Sequence, residues 1–318
     1  MIKILLKKYS QKTKLNFILF SFKLIIIFYN FIIYIIFYSL KKKLIFSRNK
    51  YKHLKIEKSF SKIVAISYAN KDYQMQLELN KKSAIEVGKV DEYYSYGPDN
   101  IDPEFKEKNK DILSRKRGNG YWLWKPYFIL KTLREKLNYG DYLIYTDAGI
   151  LYMNSTYNII NFLKTQKAEM WMIPLSYKEK EFTKRDAFIL LGADIPFYTD
   201  TPHFMAGIQV YRKSTFTEKF LEELLHYSQD KRIITDDPNT QGLPNYDGFQ
   251  ENRHDQSILS LLIKKYGQCN TGRTNINIDI SQRKKILMPY IFCIYRRMKF
   301  NNYEDLREKC NKYIKDKR

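Results

Sequence analysis

A chain of 318 residues with 44% hydrophobic and 16% aromatic residues has core-forming material for one large α/β domain or two small ones, and is expected to fold as an enzyme-sized domain. Its net charge of +22 suggests a nucleic-acid binder until it is divided along the chain: residues 1–58 hold fourteen Lys or Arg against the single acid Glu57, so +13 lies there and +9 on the other 260 residues. No nucleic-acid partner is expected. The three cysteines, Cys269, Cys293 and Cys310, are odd in number and widely spaced, which argues against a disulfide framework or a zinc site and is compatible with a reducing compartment.

The basic segment encloses Leu24 to Leu40, an uncharged run of 17 residues preceded by LNFILFSFK, which reaches the lower length limit for crossing a bilayer core. Lys14 and Lys23 on one side and Lys41 to Lys43 on the other can snorkel to headgroups. Residues 1–43 are therefore expected to carry a membrane-anchoring helix over about 15–40, with 44–61 a basic linker and 62–318 the main domain. No small-residue cleavage site follows the run, which disfavours a signal peptide. Eight Lys or Arg in 41–58 against six in 1–23 point the main domain toward the cytoplasmic face of a single-pass protein.

Lys62 to Tyr68 is a short β-branched run of the kind found in a buried parallel strand. A helix around Gln74 to Ile85 and a strand Val90 to Tyr96 complete a strand, helix, strand opening, the start of a doubly wound α/β fold. Asp102 to Leu113 reads as a helix, and Arg115, Lys116 and Arg117 then lead into a glycine-flanked aromatic loop. Three cations beside such a loop either contact phosphate or are simply solvated. Tyr121, Trp122 and Trp124 either stack on a base or sugar or cap the sheet, with at least one Trp expected in the core.

Pro126 announces a helix with Ile129, Leu130, Leu133 and Leu137 on its buried face, and places Lys125 near its positive end. A turn at Asn138 to Asp141 precedes a strand Tyr142 to Thr146, which ends in Asp147, Ala148 and Gly149. There a carboxylate and bare backbone can approach a ligand together. Further strands are expected at Glu169 to Leu175 and Phe204 to Tyr211, the second interrupted by Ala206 and Gly207. A helix capped by Ser214 runs to Tyr227, a long loop covers Ile233 to Asn252, and a second helix starts at His254, Asp255 and Gln256. The C-terminal portion carries no clear pattern, and no internal repeat is present.

The carboxylates available for a two-carboxylate or metal constellation are Asp147, Asp186 and Asp255, with Asp236, Asp237 and Glu251 behind them. Asp147 and Asp255 can jointly hold a hard divalent cation, Mn²⁺ or Mg²⁺, against a diphosphate, with Lys125, Lys184 and Arg185 adding positive charge. Each has a plainer reading: Asp147 as a turn cap, Asp255 as the acid favoured at a helix start, His254 as an ordinary histidine instead of a metal ligand.

In their order, Arg117 to Pro126 (RGNGYWLWKP), TDAG at Thr146 to Gly149, TKRD at Thr183 to Asp186, the Ala206–Gly207 pair and HDQS at His254 to Ser257 resemble the GT-A glycosyltransferases, in particular polysaccharide-associated bacterial-type transferases. The resemblance spans about Lys62 to Gly267. It implies a nucleotide-diphospho-sugar transferase fold, a mixed sheet flanked by helices, and a sugar moved from a nucleotide-sugar donor to a glycan or lipid-linked acceptor. It also implies donor contacts at Arg117, Trp124, Lys125, Lys184, Arg185, Ala206 and Gly207. Asp147, Asp255 and His254 are then the metal candidates, and Asp255 and Asp186 the catalytic ones, Asp186 on the acceptor side. Asp147 lacks the acidic companion of an Asp-x-Asp motif, because Tyr145 and Gly149 stand where it would be, so Asp255 has to be its partner if the protein holds a metal. The competing readings are a glycoside hydrolase using paired carboxylates and a non-catalytic membrane-associated module that binds glycans through the aromatic loop.

Overall fold

The computed structural model describes residues 61–266, 291–295 and 298–316, all within one compact unit of the chain. The expected membrane anchor and nearly all of the basic linker lie outside the described residues, as does Gly267, the expected stop of the last helix. Among the described residues no helix is long and apolar enough to cross a membrane.

A five-stranded sheet in the order β2-β1-β3-β6-β5 forms the centre. Strand β1 (Ile63–Tyr68) is fully buried and pairs in parallel with β2 (Glu92–Tyr96) on one side and β3 (Tyr142–Thr146) on the other. Strand β6 (Pro202–Arg212) runs antiparallel to β3, and β5 (Met170–Lys178) antiparallel to β6, so the sheet is mixed. The period-two alternation of β1 sends Val64, Ile66 and Tyr68 into one core and Ile63 and Ala65 into the other. The first core is covered by three helices, Trp124–Lys136, Thr215–Ser228 and Asp255–Lys265. The second is covered by Gln74–Glu86 and Tyr157–Gln166. In chain order these five are α1 (74–86), α2 (124–136), α3 (157–166), α4 (215–228) and α5 (255–265).

Most expected elements are present within one to three residues of their predicted ends. The Asp102 to Leu113 helix is instead two short pieces, Pro103–Lys108 and Lys110–Leu113, hinged at Asn109. The C-terminal portion, which showed no pattern, returns to the fold: β7 (Phe292–Ile294) pairs antiparallel with β4 (Ile150–Tyr152), and α6 (Tyr303–Asp316) follows. The 235–252 stretch has no regular structure but is tied down. Asp186 accepts from Thr240 N (2.6 Å), Thr240 Oγ1 (2.9 Å) and Gln241 N (3.1 Å), and Asn252 Nδ2 donates to the Ile233 and Thr235 carbonyls.

A second buried polar centre braces β5, β6 and α5. Glu179 is wholly buried, with His203 Nδ1 2.9 Å from its Oε1 and with Ser260 and Lys264 bonded to its Oε2. Burial pushes the Glu179 carboxyl up, but the charges of His203 and Lys264 outweigh it and set the value at about 2. Because the folded value lies below the unfolded one, this group stabilises the fold above roughly pH 4.3, and that stability is lost as pH falls through about 2. The melting temperature of the wild type is expected to drop across that window. Glu179→Gln is expected to melt lower at pH 7, by roughly 3–5 kcal/mol of stability, and to show a flatter acid limb in a calorimetric pH series.

Candidate active site

With β2 and β3 on opposite sides of β1 and parallel to it, the chain reverses its direction of travel across the sheet at β1. A crevice opens beyond the carboxyl ends of β1 and β3, where open α/β sheets bind ligands. The cleft found there has a volume of about 580 Å³. Its floor is Tyr145, Asp147, Ala148 and Gly149, and its aromatic walls include Tyr68, Trp122 and Trp124. Tyr295, Met298 and Phe300 close it from the C-terminal segment. A second hollow of about 570 Å³, beside Lys108, His226 and Arg232, shares no residue with the first.

The aromatic wall depends on an unusual backbone. Gly118, Asn119, Gly120, Tyr121 and Trp122 all have positive φ, of 58°, 52°, 88°, 51° and 59°, which makes one turn of left-handed helix. Tyr121 N donates to the Arg117 carbonyl (2.8 Å) and Trp122 N to that of Gly118 (3.2 Å). Each L-residue held so costs about 1–2 kcal/mol. Gly118 is required twice over, since a Cβ there would lie 2.4 Å from the Trp122 ring. Packing offsets the strain: Trp124 stacks on Tyr68 at 3.7 Å and donates its Nε1 to the Gly118 carbonyl, while Trp122 stacks on His254 at 5.2 Å. Burial pushes the Tyr68 hydroxyl up to about 12, so at neutral pH it stays uncharged at the cleft wall.

Asp147 is fixed from every side. Tyr145, two residues earlier on the same strand face, donates its hydroxyl to Oδ1 at 2.7 Å. The Asp147 amide donates to the Gly207 carbonyl at 2.9 Å, and a Cβ on Gly207 would stand 3.0 Å from Asp147 Oδ2, so a larger residue there would press on the carboxylate and require it to shift. From α1, the buried Asn80 donates to Thr146 Oγ1 (2.9 Å) and to the carbonyls of Ile150 (2.7 Å) and Asp147 (3.3 Å). Ala206 N donates to Gln256 Oε1 at 3.0 Å, which joins β6 to the start of α5.

Asp255 does meet Asp147, but through Lys125. The ammonium lies 2.9 Å from Asp255 Oδ2 and 3.5 Å from Asp147 Oδ1, under the rings of Tyr145 (5.3 Å) and Trp124 (5.8 Å). The Lys125 and Asp255 side chains are 5% and 7% exposed and Asp147 is 18% exposed, so Asp147 alone of the three faces the cleft. Burial lifts the Asp255 carboxyl to about 6; Lys125 pulls it down and Asp147 pushes it further up.

This arrangement does not fit a divalent cation shared by Asp147, Asp255 and His254. A lysine ammonium holds the place between the carboxylates. The His254 ring, 2% exposed, donates Nδ1 to the Ile234 carbonyl at 2.7 Å, with Nε2 3.7 Å from Asp236. Among the described residues no three His, Cys, Asp or Glu side chains converge as a metal group.

The remaining candidates are placed as follows. Trp124 lines the cleft, whereas Ala206 and Gly207 do not: Gly207 bonds the Asp147 amide from β6 and Ala206 bonds Gln256. Arg117 pairs with Asp236 (3.1 Å) and Glu251 (2.8 Å), Lys184 bonds the Asp237 carbonyl (2.6 Å), and Arg185 pairs with Asp194 (2.9 Å). Asp186, wholly buried, anchors the 235–252 stretch. None of these four lines the cleft. From sequence, Lys116 stood out only as one of three cations beside the loop and Tyr145 only as the residue in place of an acidic companion to Asp147, and Asn80 did not stand out at all. The signal that could have found Tyr145 is its two-residue spacing from Asp147.

No protein-family profile matches the chain, and no curated protein matches it. Solved structures similar to it include the apo form of the bifunctional glycosyltransferase WbbM, at TM-score 0.44 and 10% identity over 81% of this chain and 50% of that one. The galactosyltransferase LgtC with donor and acceptor sugar analogues is similar at TM-score 0.39 and 14% identity, over 80% of this chain and 95% of that one. GlyE of Streptococcus pneumoniae TIGR4, a glycosyltransferase, gives 0.36 and 16%, over 80% and 60%. The chain thus spans half the length of WbbM, and the function proposed below stands on this chain's own residues.

Proposed function

We propose that the chain is a glycosyltransferase of the GT-A type, which moves a sugar from a nucleotide-sugar donor to a hydroxyl of a glycan or lipid-linked acceptor in surface polysaccharide or glycoconjugate synthesis. In this reading the 15–40 segment tethers it to the cytoplasmic face of a membrane. The observation that carries the proposal is Asp147, braced by Tyr145, Lys125 and Gly207 and presented to an aromatic cleft at the switch point of the sheet. Aromatic walls suit the flat faces of a base and a sugar ring, and a fixed carboxylate accepts hydrogen bonds from sugar hydroxyls. In the transfer, the acceptor oxygen forms a bond to the anomeric carbon and gives up its proton. The bond from that carbon to the diphosphate breaks, and its electron pair leaves with the nucleoside diphosphate.

A glycoside hydrolase needs two carboxylates flanking the bond it cleaves. Neither expected partner of Asp147 lines the cleft, since Asp186 anchors the 235–252 stretch and Asp255 is closed off behind Lys125; the second carboxylate there is Asp72, so turnover with and without a nucleotide donor separates the two readings. The test is to incubate the purified full-length chain with UDP-, GDP-, ADP- and CDP-linked sugars, with and without Mn²⁺. Release of free nucleotide from one donor, accelerated by acceptor glycans, is expected. Inertness toward every donor, or turnover of a simple glycoside with no nucleotide present, would overturn the proposal.

A further inference from the structure

Three cations in a row, Arg115, Lys116 and Arg117, enter the left-handed turn, and the fold gives them different surroundings. Arg115 lies 3.5 Å from Asp237, and Arg117 is bonded to Asp236 and Glu251, so both arginines are spent bracing the 235–252 stretch. Lys116 between them lines the Asp147 cleft, and among the described residues its ammonium makes no ion pair. Among the described residues it is the only Lys or Arg lining that cleft, whose other charged lining residues are the acids Asp72 and Asp147. Among the described lining residues, an anionic ligand entering the cleft therefore meets two carboxylates and one ammonium. The gap between Asp147 and Asp255 is filled by the Lys125 ammonium, which is closed off from the cleft and leaves no room for a divalent cation between those two carboxylates.

We propose that Lys116 is the group that binds the diphosphate of the ligand, and that binding needs no divalent cation held between Asp147 and Asp255. The inference rests on the nucleotide-sugar reading above and assigns the charge partner within that site. An exposed, flexible ammonium suits this task, since it follows the phosphates as the bond to the sugar lengthens and meets the charge that gathers on the leaving oxygen. The bracing arginines keep the turn, and with it Lys116, at the cleft mouth.

The experiment is a calorimetric titration of the full-length chain with UDP, GDP, ADP and CDP in EDTA, and again with Mn²⁺, using the wild type, Lys116→Gln and Lys116→Arg. One of these diphosphates is expected to bind in EDTA, with Mn²⁺ changing the affinity less than about twofold. Lys116→Gln is expected to weaken it at least ~10-fold, and Lys116→Arg to restore most of the loss. The matching nucleoside, which lacks phosphates, should bind wild type and Lys116→Gln alike, a result that a merely structural role for Lys116 would not give. Diphosphate binding that is lost in EDTA, or is equal in wild type and Lys116→Gln, would overturn the inference while leaving the transferase reading intact. If no diphosphate binds in either buffer, both fall.

Discussion

Asp147→Asn is expected to lower turnover with the productive nucleotide sugar by roughly 10²–10³-fold while shifting the melting temperature by no more than about 4 °C. The substitution keeps the shape of the side chain. An amide oxygen still accepts the Tyr145 hydroxyl, the backbone bond to Gly207 is untouched, and Lys125 keeps its closer partner Asp255 at 2.9 Å. What is lost is the one carboxylate charge of the buried triad that reaches the cleft. Steady-state kinetics beside a thermal melt separates the two effects. A variant that folds normally and turns over at the wild-type rate would remove Asp147 from the mechanism. It would favour instead a binding module, in which Trp124→Ala is the damaging change.

The largest effect on stability is expected at Lys125. Lys125→Met removes the one cation that, among the described residues, lies within ion-pair distance of Asp255, leaving a carboxylate with 7% of its side chain exposed facing the like charge of Asp147. Breaking a buried pair from one side costs about 3–5 kcal/mol, because the remaining charge has lost its water and now its counter-ion. Adding Asp255→Asn to Lys125→Met is expected to recover more than half of that loss, since the amide is neutral and still occupies the first turn of α5. Urea denaturation of the wild type, both single variants and the double variant measures the coupling. Additive losses would mean that Lys125 and Asp255 stabilise the fold independently, against the 2.9 Å contact.

Much of the fold could be read from local pattern. β1 and β3 are short apolar runs, α2 carries its buried face at helical spacing, and Ser214 caps α4 through the Thr217 amide as expected. The direction of β6 could not be read, because FMAGIQVY has the same alternation in either sense and only its neighbours make it antiparallel. Helix α3 and strand β4 fell in a stretch with no motif, and β7 pairs with residues far back in the chain. In the site, the meeting of Asp147 and Asp255 was foreseen, but not the ammonium that separates them. Lys125 was assigned to a ligand because it stands near a helix start, and nothing in its neighbours reveals that Tyr145 and Trp124 close over it. The cationic run shows the same limit. A left-handed turn decides which of three adjacent side chains faces the cleft, and the sequence reading had selected Arg117, not Lys116.

Asp147 is held by groups from α1, α2, β6 and, through Lys125, α5. No short piece of the chain contains more than part of this scaffold. Such a site has no partial form: on the transferase reading proposed above, a nascent or locally opened chain has the acidic residue but not its geometry, and so is expected to gain neither affinity nor reactivity toward an activated sugar. On that reading folding itself acts as the safeguard against wasteful hydrolysis, because competence arrives only with the last long-range contacts, which are also the slowest to form.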